Sequence, residues 1–213
     1  MTASLLLPAA FVLTYFLGAI PTALWVGRGI YGLDIRLHGS GNSGATNTFR
    51  VLGKRAGTGV LVFDVLKGFL AAFLAQGLLR AGVIGGADLV KTELALGLTA
   101  VLGHIYSAFA GFKGGKGVAS LLGVGRAVAP GPAAACVVVF LAMLWLTSYV
   151  SVSSMTSTAA FPALVALLGP RDPWLLGFGA LVAGLVLYTH RVNIGRLRAG
   201  TESKVNPFGR RAA

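Results

Sequence analysis

The chain has 213 residues, of which 55% are hydrophobic and only 11% are charged, and its mean hydropathy is +0.80. So little charge cannot cover the surface of a water-soluble domain, in which roughly 25% of residues are charged, and so much apolar sequence excludes intrinsic disorder. With 18 Lys and Arg against 6 Asp and Glu, a net charge of +12 and 31 glycines, the composition predicts an all-α integral membrane protein with cationic loops.

Seven apolar segments predict seven transmembrane helices in a single domain over residues 1–213. They are residues 3–27, 58–80, 92–110, 117–130, 132–150, 154–169 and 174–190. A spanning helix needs about 20 mostly apolar residues, so segments 117–130 and 154–169 are short enough to be partial, tilted or broken spans. Seven spans place 13 of the 18 Lys and Arg residues on one side and four on the other. By the positive-inside rule, the N-terminus then lies outside and the C-terminus in the cytoplasm.

The first cytoplasmic loop contains the sequence GSGNSGATNTFR at residues 39–50. Glycines allow consecutive backbone amides to converge on an anion, hydroxyl and amide side chains add neutral donors, and Arg50 adds a bidentate cation suited to phosphate. A flexible linker rarely combines glycines with an Arg and two Asn. The segment therefore predicts an anion site, with candidate binding residues Ser40, Gly41, Asn42, Thr46, Asn47 and Arg50.

The second cytoplasmic loop reads GFKGGKG at residues 111–117 and leads directly into an apolar helix. A glycine-rich, doubly cationic entry to a helix N-terminus suits phosphate. The loop is not a Walker A motif, because the spacing of its glycines differs and Gly117 follows Lys116 where Ser or Thr is needed. Its candidate site residues are Lys113, Gly114, Gly115, Lys116 and Gly117.

The C-terminal region contributes His190 and Asn193, which share one face if the last helix continues. Within segment 58–80, Asp64 and Lys67 have the same spacing, which favours a structural ion pair that braces the site. The single cysteine, Cys136, excludes a disulfide within the chain and a Cys/His metal cluster. The cytoplasmic loops supply only Asp34 and Glu202 as carboxylates, so we expect neither a metal nor another cofactor.

The three segments GSGNSGATNTFR, GHIYSAFAGFKGGKGVAS and HRVNIGRLRAGTESK resemble the three cytoplasmic motifs of the bacterial acyl-phosphate-dependent glycerol-3-phosphate acyltransferase family. The chain departs from the family pattern at Ser107, where Pro is usual, at Ser120, where Thr is common, and at Ser148, where Arg is frequent. The resemblance implies transfer of a long-chain acyl group from acyl phosphate to the 1-hydroxyl of glycerol 3-phosphate. The products would be lysophosphatidic acid and inorganic phosphate, in phospholipid biosynthesis.

The resemblance also implies roles for individual residues. The expected catalytic residues are His190, Asn193, Lys113 and Lys116. The expected substrate-binding residues are Ser40, Gly41, Asn42, Thr46, Asn47, Arg50, Gly114, Gly115, Gly117, Ser151, Glu202 and Lys204. The implied partners are the two substrates and membrane lipids, with no nucleic acid and no obligate protein partner. The implied location is the bacterial cytoplasmic membrane, with the active site facing the cytoplasm.

Two other functions compete with this interpretation. A transporter of a phosphorylated metabolite would need polar residues near the middle of several spans or an inverted repeat. Neither is apparent, since the polar residues lie mainly on one side. A non-catalytic scaffold for anionic lipids would account for the basic loops but not for their ordered Gly, Asn and Thr pattern.

Overall fold

The structure, a computed structural model, describes residues 3–205, with side chains from Leu5 onward. Arg210 and Arg211, which count among the 13 cations of the predicted cytoplasmic side, therefore lie outside the described residues. The chain forms two compact units, Met1–Val128 and Ala129–Ala213, and a single domain over 1–213 stays a prediction. Residues 3–205 are all-helical, without a strand. The helices are α1 Ala3–Ala19, α2 Thr22–Tyr31, α3 Ala45–Arg80, α4 Leu89–Ile105, α5 Val118–Val128, α6 Pro130–Thr147, α7 Val150–Leu168, α8 Pro173–Thr189 and α9 Arg191–Arg198.

The length and composition of the helices support between four and six membrane spans. Four segments are long and apolar enough to cross alone: Ala45–Arg80, Gly86–Ala110, Pro130–Thr147 and Val150–Leu168. Two bent pairs add two more if each is one span, α1 with α2 at 45° and α8 with α9 at 59°. The predicted span 117–130 forms only the 11-residue α5, which is about 16 Å long and shorter than the hydrocarbon core of roughly 30 Å.

The first predicted span, 3–27, is interrupted by Pro21. A proline lacks the amide donor that a helix interior needs and disfavours helical geometry at the residue before it. Accordingly α1 ends at Ala19, and α2 begins at Thr22 after Pro21 adopts φ −87° and ψ 71°. The carbonyl oxygen of Ile20 at this break accepts a hydrogen bond from Lys67 Nζ at 3.0 Å.

Helix α3 begins well before the predicted span 58–80. It starts at Ala45, so that Thr46, Asn47 and Arg50 lie on a helix and not in a loop. Gly53 interrupts the helical geometry with φ 84° and ψ −175°, a conformation that favours glycine. The helix therefore has a short N-terminal part that carries the first motif, followed by the long apolar part.

Glycines allow the helices of the first unit to pack backbone against backbone. A Cβ atom added at Gly18 would overlap the carbonyl oxygen of Ala100, and one at Gly103 would overlap that of Tyr15, so α1 and α4 approach closely at both positions. Helices α3 and α5 approach in the same way, since Gly68 faces the carbonyl of Ser120 and Gly123 that of Val65. Small residues at such crossings are a usual basis of helix association in lipid, and they account for these four glycines.

In the second unit, α6 packs against α7 and α7 against α8. Pro130 and Pro173 are the first residues of α6 and α8, where no intrahelical amide is needed. Asp172 caps α8 by accepting hydrogen bonds from the amides of Trp174 at 2.7 Å and Leu175 at 3.2 Å. At the other end of α8, His190 is the residue at which the chain bends into α9.

Candidate functional site

The first glycine-rich segment, residues 39–44, is held in place by the side chain of Asn47. The Oδ1 atom of Asn47 accepts from the Ser40 amide at 2.8 Å, and its Nδ2 atom donates to the carbonyls of Ile35 and His38, each at 3.0 Å. Asn47 is 1% exposed. Its amide therefore shapes the segment from within, and this is a role that sequence reasoning did not assign.

Two glycines of this segment adopt the left-handed backbone geometry that glycine allows. Gly39 has φ 60° and Gly41 has φ 74°, and the amide of Gly41 donates to the carbonyl of His38 at 3.1 Å. The backbone donors of Ser40 and Gly41 are thus both engaged within the protein. The segment ends at Gly44, the N-cap of α3, which offers the first helical turn no side-chain cap.

Two polar side chains of the first turns of α3 face outward, whereas Thr48 is buried. Thr46 and Arg50 are both exposed, and the Arg50 stem runs over Gly39, where an added Cβ would lie 3.4 Å from Arg50 Cδ. Asn42, two residues before the N-cap Gly44, is half-buried. An uncapped helix start with an exposed guanidinium beside it matches the electrostatics of a phosphate group.

The second glycine-rich segment, residues 111–117, folds back onto the end of α4. The amide of Gly114 donates to the carbonyl of Ile105 at 2.9 Å, and that of Gly115 donates to the carbonyl of His104 at 3.1 Å. A Cβ at Gly114 would overlap the carbonyl oxygen of His104, and one at Gly115 would overlap the His104 imidazole. Close approach to α4 therefore requires glycine at both positions, whereas Gly117, with φ 85°, requires it for its conformation.

The two lysines of this segment differ in exposure. Lys113 is exposed and Lys116 is half-buried. Helix α5 follows directly at Val118, so both cations lie within a few residues of a helix N-terminus, as predicted. This arrangement favours anion binding through the combined charge of the ammonium groups and the helix dipole.

The predicted pair of Asp64 and Lys67 is confirmed and belongs to a larger buried cluster. Lys67 Nζ lies 2.9 Å from Asp64 Oδ1, and the two side chains are 1% and 2% exposed. Asp64 Oδ1 also accepts from Thr22 Oγ1 at 3.2 Å and lies 3.7 Å from His104 Nδ1. The cluster therefore joins the start of α2, the middle of α3 and the end of α4.

A small pocket lies beside this cluster and is lined by both glycine-rich segments. Ser43 of the first segment and Gly114 and Gly115 of the second contribute to its wall, together with Asp64 and His104. Ser107, which departs from the family pattern, also lines the pocket, and its hydroxyl donates to the carbonyl of Ala19. The first unit thus brings the first two motifs together.

In the second unit, Glu202 connects two of the predicted site residues. Its Oε1 atom accepts from Ser151 Oγ at 2.7 Å and from Asn193 Nδ2 at 2.6 Å. Ser151 and Asn193 are buried, and Glu202 is half-buried. The carboxylate therefore orients the Asn193 amide and the Ser151 hydroxyl, a connection between residues 51 positions apart that the sequence did not reveal.

His190 and Lys204 complete the predicted residues of this unit. His190 is 2% exposed, and its Nδ1 atom lies 2.8 Å from the carbonyl oxygen of Val186. A carbonyl only accepts hydrogen bonds, so we assign the imidazole proton to Nδ1. In this tautomer, Nε2 is the ring atom that can accept a hydrogen bond. Lys204 is exposed and lies over the ring of Tyr149, with Nζ 5.6 Å from its centroid.

Residues 3–205 contain no group of three or more His, Cys, Asp and Glu side chains placed to hold a metal ion. Apart from Glu202, the predicted site residues with polar side chains carry cationic, hydroxyl, amide or imidazole groups, which suit the binding and orientation of phosphate and hydroxyl groups.

Comparison with known proteins identifies relatives over nearly the whole chain. The sequence model of the family described as "Glycerol-3-phosphate acyltransferase" matches residues 8–200. Proteins of that name from Salinibacter ruber and Bacillus cereus are 44% and 47% identical, over 95% and 92% of this chain and 93% of each relative.

Two solved structures have the same fold. Both are of PlsY (YgiH), described as an integral membrane glycerol 3-phosphate acyltransferase, one in a glycerol 3-phosphate form and one in a lysophosphatidic acid form. Each is 38% identical to this chain, with TM-scores of 0.83 and 0.81. The matches cover 94% of this chain and 96% and 95% of the two structures.

Proposed function

This chain belongs to the glycerol-3-phosphate acyltransferase family, and from this premise we propose that it acylates the 1-hydroxyl of glycerol 3-phosphate with a long-chain acyl phosphate as donor. The hydroxyl oxygen attacks the acyl carbon, and the bond between that carbon and the phosphate oxygen breaks. Lysophosphatidic acid forms, and inorganic phosphate leaves with the hydroxyl proton. The reaction is a membrane-bound step of phospholipid biosynthesis and needs no metal or other cofactor.

The observation that carries this proposal is the pairing of cations with helix starts in the first unit. Arg50 is exposed beside the uncapped start of α3, and Lys113 and Lys116 precede the start of α5. Both proposed substrates carry phosphate. We assign phosphate recognition to these three cations, to the turn that contains Asn42, and to Thr46, while Asn47 acts by holding Ser40 and Gly41 in place.

The assignment for the second unit follows its hydrogen bonds. We propose that Asn193 and His190 orient the attacking hydroxyl, while Glu202 fixes Asn193 and Ser151 through hydrogen bonds of 2.6 and 2.7 Å. Lys204 adds positive charge at the same end of the unit. An acyl phosphate already has a good leaving group, so positioning, which can contribute about 7–11 kcal/mol, and oriented donors, each worth about 2.7–4 kcal/mol, suit the reaction.

The donor assay tests the proposal. Purified protein is incubated with glycerol 3-phosphate and, in separate reactions, palmitoyl phosphate, palmitoyl-CoA or palmitoyl acyl carrier protein. We expect lysophosphatidic acid from palmitoyl phosphate alone, with one inorganic phosphate released per product. Product from a thioester donor at a comparable rate would contradict the proposed donor. No product from any donor, with the fold intact, would contradict the proposed function.

We further propose seven membrane spans, in which the short α5 crosses in addition to the six that helix length and composition support at most. The protein lies in the cytoplasmic membrane of a bacterium, with its N-terminus outside and its active site facing the cytoplasm. The support is the distribution of 13 of the 18 Lys and Arg residues on one predicted side. In a Cys136→Ala background, a cysteine at Gly111 is expected to react with an impermeant maleimide only in inside-out vesicles, and one at Gly82 only in right-side-out vesicles. Labelling of both from the same side would contradict the proposed topology.

A further inference from the structure

We propose that Arg36 is a positioning residue that fixes the root of the second glycine-rich segment, residues 111–117, relative to the first, residues 39–44. Through that spacing, Arg36 sets the affinity for a phosphate-bearing substrate. The inference rests on the proposed function, because its effect on affinity presumes that both segments bind phosphate. No motif residue of the sequence analysis has this role, since Arg36 lies three residues before Gly39.

The side chain of Arg36 is fixed on one side by Asp34. Asp34 is the N-cap of the short turn Ile35–Leu37, and its Oδ1 atom accepts from the Arg36 amide at 3.0 Å. The same carboxylate accepts from Arg36 Nε at 3.0 Å and from Nη2 at 2.8 Å. This bidentate geometry holds the planar guanidinium in one orientation.

The remaining edge of the guanidinium reaches the second segment. Arg36 Nη1 donates to the carbonyl of Ala110 at 3.2 Å. Ala110 is 3% exposed and is the last residue of the turn Ala108–Ala110, after which Gly111 takes φ 65°. Arg36 therefore joins the base of the first segment to the residue from which the second one departs.

The charge balance keeps this connection intact at neutral pH. The hydrogen bonds from the Arg36 side chain hold the pKa of Asp34 well below its usual range. A lowered folded-state pKa gives a stabilisation that is complete above the unfolded pKa of about 3.9 and is lost only as the pH falls further. The Asp34–Arg36 contact is thus charged at every pH at which the enzyme would be assayed.

Arg28 provides a matched control. It binds the same carboxylate, with Nη2 2.8 Å from Asp34 Oδ2, but its side chain is 56% exposed compared with 28% for Arg36. In the described part of the chain its hydrogen bond ends at Asp34, whereas that of Arg36 continues to Ala110. Loss of either arginine removes one positive charge beside the Asp34 carboxylate. Only loss of Arg36 also removes the hydrogen bond to Ala110 and thus the link to the second segment.

The experiment compares Arg36→Gln, Arg36→Lys and Arg28→Gln in the full-length protein. Steady-state kinetics are measured with palmitoyl phosphate and glycerol 3-phosphate. For Arg36→Gln we expect the KM for at least one of these two substrates to rise at least fivefold, while kcat stays within threefold of wild type. Arg36→Lys retains the charge but not the fork, so it is expected to show a similar rise. Arg28→Gln should leave both KM values within twofold.

Hydrogen exchange provides a readout that does not depend on activity. Amides in 111–117 are expected to exchange at least tenfold faster in both Arg36 variants than in wild type, and at the wild-type rate in Arg28→Gln. Unchanged exchange in Arg36→Gln, or equal acceleration in Arg28→Gln, would overturn the inference even if the protein shows no acyltransferase activity. Accelerated exchange with inactive wild-type protein would support the link and contradict the proposed function instead.

Discussion

Replacing Lys67 by methionine is expected to lower the free energy of unfolding by about 3–5 kcal/mol, because it leaves a buried carboxylate without its cation. The Lys67 and Asp64 side chains are 1% and 2% exposed and lie 2.9 Å apart. The substitution also deprives the Ile20 carbonyl of the hydrogen bond from Lys67 Nζ, which adds the cost of an unpaired polar group. Reversible unfolding in mixed detergent micelles, followed by tryptophan fluorescence, measures the difference.

A second ion pair with the same spacing provides the control. Lys91 lies 3.0 Å from Asp88, also at i and i+3, but these side chains are 44% and 57% exposed. Lys91→Met is therefore expected to cost at most about 1 kcal/mol. In the Asp64→Asn and Lys67→Met double variant, removal of the unpaired charge should recover part of the loss. Equal effects of Lys67→Met and Lys91→Met would contradict the structural role of the buried cluster.

Replacing Arg50 by alanine is expected to reduce kcat/KM by about 100- to 1,000-fold, the usual cost of losing one oriented donor to developing charge. Arg50 is exposed next to the uncapped start of α3, so its removal should change the melting temperature little. Arg50→Lys is expected to remain strongly impaired, because an ammonium cannot replace the bidentate guanidinium. Initial rates with palmitoyl phosphate and glycerol 3-phosphate measure the effect.

Arg55 is the matched control for charge. It is also exposed, and it lies five residues further along the same helix, beyond the interruption at Gly53. Arg55→Ala removes the same charge from α3 and is expected to leave kcat/KM within twofold of wild type. If Arg50→Ala and Arg55→Ala reduced turnover equally, general surface charge would explain the effect, and the assignment of Arg50 would fail.

Local spacing in the sequence predicted the features that depend on one helix. Asp64 and Lys67 at i and i+3 were predicted to pair and do so, since helical geometry alone places them together. The involvement of His104 was not predictable, because it comes from another helix and has no fixed spacing to Asp64. The same holds for Glu202, which reaches Ser151 across 51 residues.

Glycine shows why composition was only a partial guide. The left-handed geometry expected of the loop glycines occurs at Gly39, Gly41 and Gly117. At Gly114 the requirement is different, since the His104 carbonyl leaves no room for a side chain. Four further glycines of the first unit serve helix crossings, which sequence cannot assign because the facing atom belongs to a distant segment.

The positions of the apolar helices were predicted, but the short length of α5 and the early start of α3 were not. Hydropathy located all the apolar segments, but it does not indicate where a helix begins or ends. The expected span 117–130 therefore contains only the short helix α5. Helix α3 begins earlier than expected, at Ala45, because polar motif residues can occupy the first turns of a helix as readily as a loop.

The paired glycines of the α3–α5 crossing have a consequence for the second glycine-rich segment. Gly68 faces the Ser120 carbonyl and Gly123 faces the Val65 carbonyl, so a slip of one residue along either helix would push a side chain into a backbone oxygen. The two helices therefore have a single permitted register, with a step of about 1.5 Å per residue excluded in both directions. Because Lys116 lies two residues before α5, this register also fixes the position of its backbone along α3, so the second glycine-rich segment is placed by contacts between two apolar helices.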